Sequence, residues 1–102
     1  MLELYQAEWC PHSHAVRQRL TELGVEWRSK PVEAEPADRA AMREATGHDV
    51  IPVLVADGGA VVAGTDEILE HLDRTVDEPP EARHHRAQAR AHGVYPQLPR
   101  ET

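Results

Sequence analysis

Cys10 is the residue whose type and setting point most directly to covalent chemistry. It is the only cysteine among 102 residues and stands in the run Ala7-Glu8-Trp9-Cys10-Pro11-His12-Ser13-His14. Pro11 lacks an N–H and has a fixed φ, which suits the first turn of a helix. A cysteine just before it would take the N-cap, where free backbone N–H groups and the positive end of the helix dipole face the sulfur. That setting favours thiolate and can draw a cysteine pKa from about 8.5 into the range of roughly 3.5–7.5. A thiolate is the nucleophile of disulfide exchange. A lone cysteine is more often a small buried apolar group, but the position before proline at a helix start tips the balance towards reactivity. Glu8 would oppose ionisation, so activation would rest on the helix end and on His12 or His14. Those histidines do not make a metal site with Cys10, because residues two apart on a helix face different ways.

The elements on either side must hold that sulfur. Leu2, Leu4 and Tyr5 lie in an apolar-rich run that predicts a strand over 1–6. Val16, Leu20 and Leu23 recur at i, i+4 and i+7, one face of a helix over 11–23 that Gly24 ends. Val25, Trp27 and Val32, among polar residues, predict a second, less buried strand. Pro36 opens a helix over about 36–46 that stops at Gly47. Val50-Ile51-Pro52-Val53-Leu54-Val55-Ala56 reads as a buried strand with proline at its start, where proline is allowed. Asp57-Gly58-Gly59 is a hairpin turn leading into Ala60–Ala63. Thr65 is an N-cap for a third helix, with acids in its first turn and Ile68, Leu69 and Leu72 as its apolar stripe.

The order is β-α-β-α-β-β-α, an α/β fold. The crossover rule makes the first two strands parallel, and the hairpin adds antiparallel strands to give a four-stranded mixed sheet flanked by three helices. Residues 1–76 form one domain. From Asp77, with Pro79-Pro80 and an Ala-, Arg- and His-rich stretch, 77–102 reads as a polar tail with at most a loosely docked helix.

Composition narrows the function classes. No apolar run approaches the roughly 18–20 residues that span a membrane, and no signal peptide is recognisable. A cytoplasmic protein is expected, and a single cysteine fits a reducing compartment. The formal charge of −7 argues against nucleic acid as a main partner, and no membrane partner is expected. A monomer is expected.

With these motifs in order, residues 1–75 resemble the glutaredoxins of the thioredoxin fold, and are also similar to the N-terminal domain of glutathione transferases. Cys10-Pro11-His12-Ser13 resembles the C-P-Y-C site with its second cysteine replaced by Ser13, and His12 where tyrosine is usual. Val50-Ile51-Pro52 resembles the T-V-P segment, whose proline is cis. Gly64-Thr65-Asp66-Glu67 resembles the segment that holds the γ-glutamyl end of glutathione. The resemblance implies Cys10, Pro11 and Ser13 as the catalytic group, and His12, Ile51, Pro52, Thr65 and Asp66 as the glutathione site. The backbone beside Ile51 would pair with the peptide as an added strand. The helix start at Thr65 would take its carboxylate, and Asp66 its ammonium. Arg39, Arg43 and His48 are the candidates for the glycine carboxylate.

The activity so implied is that of a monothiol thiol–disulfide oxidoreductase using glutathione or an equivalent small thiol, with glutathionylated proteins or small disulfides as partners. Lacking a second cysteine, it would work through a mixed disulfide at Cys10. The rival readings are an iron–sulfur carrier in which two protomers and two glutathiones supply the ligands, and a non-catalytic domain of transferase type.

Overall fold

A computed structural model describes residues 1–92 of the chain, with side chains through Gln88. Residues 93–102 of the expected tail lie outside the described residues. The elements are β1 (Leu2–Gln6), α1 (Pro11–Leu23), β2 (Trp27–Pro31), a 3-10 turn at Pro36–Asp38, α2 (Ala40–Thr46), β3 (Val53–Val55), β4 (Val61–Ala63), α3 (Thr65–Thr75) and α4 (Pro80–His92).

The strands form one sheet in the order β2-β1-β3-β4. β1 runs parallel to β2 from Leu2 opposite Trp27 to Gln6 opposite Pro31, and antiparallel to β3, with Tyr5 opposite Val53. β3 pairs antiparallel with β4, with Val53 opposite Ala63. This is the mixed, four-stranded sheet that the apolar patterning predicts.

Side-chain alternation decides what each sheet face buries. Leu2 and Leu4 of β1 and Leu54 of β3 cluster with Val16, Leu20 and Leu23 of α1 and Ile68 and Leu72 of α3. Val53, one residue from Leu54, is buried outside that cluster, as is Met42 of α2. Packing of α1 and α3 on one face therefore supplies most of the apolar burial, each large side chain contributing about 1.5–3 kcal/mol. Gly24 closes α1 in the left-handed region (φ 67°), its N–H reaching back to the carbonyls of Leu20 and Thr21.

The boundaries differ from the sequence expectation at four places. The helix expected over 36–46 is interrupted at Arg39 (φ −94°, ψ 43°), where the buried side chain turns its guanidinium onto the carbonyls of Glu33, Ala34 and Asp49. The third strand is confined to Val53–Val55, leaving Val50 69 % exposed. The N-cap of α3 is Gly64 rather than Thr65, because the chain leaves β4 at φ 96°, a conformation glycine adopts without a Cβ penalty. Thr65 becomes the first helical residue. Finally, α4 joins the three expected α-helices. Ala82 is 0 % exposed, and Arg86 pairs with Glu22 of α1 and with Glu78.

Candidate active site

The sheet register brings the three motifs to one end of the molecule. β1 ends at Gln6 and feeds the loop that leads to Cys10. β3, antiparallel to it, begins at Val53 just after Pro52. β4, antiparallel in turn, ends at Ala63 and hands over to Thr65. The N-terminus of α1, the Ile51-Pro52 segment and the N-terminus of α3 thus share one sheet end. A hydrogen bond from the Gly64 N–H to the Pro52 carbonyl (3.2 Å) ties the second of these to the third. The Ile51–Pro52 peptide is cis.

Cys10 is the N-cap of α1, with extended backbone (φ −85°, ψ 120°) and Pro11 following in the first helical position. Its own N–H is held by the Ala7 carbonyl (3.2 Å), and its carbonyl accepts the His14 N–H (3.0 Å), the first bond of the helix. Burial pushes the thiol pKa up. Against that act hydrogen bonds to the sulfur from the Ser13 backbone, the Ser13 hydroxyl and the His12 backbone, together with the positive charge of Arg17. The balance leaves the thiol below its ordinary value.

The residue is less open than a freely accessible nucleophile would be, at 7 % exposure. It nevertheless stands outside the hydrophobic cluster, and its neighbours Trp9, Pro11 and His12 are exposed, Trp9 by 64 %. Ser13 is buried. Its hydroxyl oxygen accepts the Ala7 N–H at 3.4 Å, so its proton is available to the sulfur.

Of the residues that the resemblance assigns to glutathione, Ile51 and Thr65 are half-buried, Pro52 is buried, and His12 and Asp66 are exposed at the same end. The three glycine-carboxylate candidates fare differently. Arg39 is buried with its Nε and both Nη atoms on backbone carbonyls at 2.7–3.0 Å, a structural duty that joins the loop after β2 to Asp49. Arg43 donates to the carbonyls of Pro36 and Ala37 and pairs with Asp49, whereas His48 is exposed.

Two residues of this corner escaped the sequence reading. Arg17 donates to Gln6 Oε1 (2.6 Å), the Ala7 carbonyl (3.1 Å) and the Glu8 carbonyl (3.4 Å). Gln6, buried at the end of β1, also donates to Ser29 on β2 (2.7 Å) and to Glu8 (2.9 Å). The available signal was spacing: Arg17 lies seven residues after Cys10, two turns along the same helix face. Among the described residues no group of three or more His, Cys, Asp or Glu side chains is placed to hold a metal ion. No helix among them is long and apolar enough to cross a membrane.

Comparison with known proteins agrees with this geometry. The family described as glutathione S-transferase, N-terminal domain, matches residues 4–80. Glutaredoxin 3 of Escherichia coli K12 is 27 % identical over 67 residues, covering 66 % of this chain and 80 % of that protein. A glutathione transferase family member from Pseudomonas fluorescens Pf-5, solved with bound glutathione, superposes with a TM-score of 0.69 at 25 % identity, over 89 % of this chain and 49 % of that one. A glutathione S-transferase from Rhodospirillum rubrum F11 gives 0.67 at 25 % identity, over 78 % and 35 %. The chain thus spans between about a third and a half of the transferases it matches.

Proposed function

The chain belongs to the glutathione S-transferase N-terminal domain family, a thioredoxin-fold family akin to the glutaredoxins, and from that premise we propose that it is a monothiol oxidoreductase that removes glutathione, or an equivalent small thiol, from mixed disulfides. The observation that carries the reading is Cys10 at the N-cap of α1, before Pro11, where Ser13, His12 and the charge of Arg17 draw its thiol below the ordinary pKa in spite of burial. The Cys10 thiolate attacks the glutathione sulfur of a mixed disulfide R–S–S–G. The old S–S bond breaks as the new one forms, and R–S⁻ leaves and takes a proton. A second glutathione thiolate then attacks the glutathione sulfur on Cys10, releasing the Cys10 thiolate and glutathione disulfide. With Ser13 in place of a second thiol, no internal disulfide competes.

The other half of the site suits the tripeptide. The backbone before Pro52 offers a short peptide edge at Ile51, the start of α3 offers N–H groups and the Thr65 hydroxyl to a carboxylate, and Asp66 meets an ammonium. His12 is exposed beside the sulfur. Intact mass after exposure to glutathione disulfide tests the reading: one adduct is expected on the native protein and none on Cys10→Ser. Deglutathionylation retained by Cys10→Ser would exclude the mechanism.

A second reading, transferase-type conjugation of glutathione to an electrophile, is favoured by the family match and by the transferase with bound glutathione. Turnover of a chlorinated aromatic acceptor, with no reduction of mixed disulfides, would decide for it. The iron–sulfur reading requires visible absorption after anaerobic reconstitution; a colourless protein is expected.

A further inference from the structure

We propose that Arg17, braced by Gln6, is the positioning residue of this corner: it fixes the loop that delivers Cys10 to the helix end and aims a permanent positive charge at the sulfur. The inference deepens the thiol-exchange reading and rests on it. Six contacts carry it. The guanidinium bonds the carbonyls of Ala7 and Glu8, and the same Ala7 carbonyl accepts the Cys10 N–H, so one oxygen links the arginine to the cysteine backbone. Ala7 in turn donates its N–H to the Ser13 hydroxyl. Gln6 holds Arg17 through its Oε1 at 2.6 Å, while its amide nitrogen is anchored on Ser29 across the sheet.

An arginine whose fork meets three fixed oxygens is pre-organised in a way a lysine is not. It supplies a cation where the residues just before Cys10, Ala7-Glu8-Trp9, contain none. Towards this end of the elements that meet here, the other charged or titratable groups are Tyr5 on β1, Glu8 in the loop, His12 and His14 on α1, Lys30 on β2, and Asp66 and Glu67 on α3. Glu8 approaches Arg17 at 3.7 Å but is 80 % exposed, so water screens its opposing charge.

The test is the pH profile of alkylation of Cys10 by iodoacetamide, a neutral reagent, read by intact mass on the full chain. In the native protein the midpoint is expected below that of a free thiol. In Arg17→Met it is expected to move up, by at most about one pH unit, so that the rate at a pH below both midpoints falls by up to about tenfold. Arg17→Lys keeps the charge without the fork and is expected between the two. Glu8→Gln, which removes the opposing charge, is expected to move the midpoint slightly down. A profile for Arg17→Met that superimposes on the native one in a folded protein would overturn the inference. If Arg17→Met does not fold, Arg17→Lys decides: a native profile overturns the proposal and an intermediate one sustains it. A native midpoint at the ordinary thiol value would instead sink the thiolate reading itself, so the two failures are distinguishable.

Discussion

At the level of single residues, two opposed effects meet on one sulfur. Burial disfavours the thiolate, and fixed donors from Ser13 and His12 together with the charge of Arg17 favour it. Ser13 is the most exacting of these, since its buried hydroxyl serves both the Ala7 N–H and the sulfur. Ser13→Ala should cost about 1 kcal/mol in urea unfolding and shift the alkylation midpoint upward. Because the folded-state pKa of Cys10 is depressed, its ionisation stabilises the fold above the ordinary thiol pKa, and that contribution fades as pH falls through the lowered value. The low exposure of Cys10 also sets a size limit: a small alkylating reagent should react many times faster than a bulky maleimide, a ratio that denaturation would erase. Trp9, open to water beside the thiol, should change its fluorescence when an adduct forms.

At the level of elements, the parts legible in the sequence were those fixed by local constraints. Pro11 and Gly24 bracket α1 at the expected residues, and the apolar stripe of α3 follows from its spacing. What escaped depends on parts far apart in the chain. Gln6 and Arg17 acquire a shared purpose only when β1, the loop and α1 have closed on one another. Arg39, a plausible anion ligand in the sequence, is instead a buried clamp because Glu33, Ala34 and Asp49 meet around it. Arg39→Leu should therefore cost about 2–4 kcal/mol by stranding carbonyls, and Arg39→Lys should recover only part of it, both read from urea midpoints. Gly64 gives an independent check. Space around it would admit a Cβ, so Gly64→Ala should lose about 1–3 kcal/mol from its backbone conformation (φ 96°, ψ 147°) alone.

At the level of the whole molecule, apolar packing holds the sheet to α1 and α3, whereas charge holds α4. Glu22, buried on α1, pairs with Arg19 at 3.1 Å and more distantly with Arg86. Arg19 also pairs with Asp73 and Glu78, which raise its pKa against the effect of its burial. Arg19→Met should destabilise by about 3 kcal/mol, since it removes the nearer partner of a buried carboxylate. Arg86, and then Arg19, hold the carboxyl of Glu78 below the usual range, so the support it gives is full above the ordinary carboxylate pKa and fades as pH falls through its lowered value. Protease cutting between α3 and α4 should accordingly rise in acid and in high salt.

An appendage that docks, among its described residues, through one buried methyl and a ring of ions has a kinetic signature. Its amides should exchange with deuterated solvent well before those of α1 and α3, making α4 the last segment to lock during folding and the first to let go.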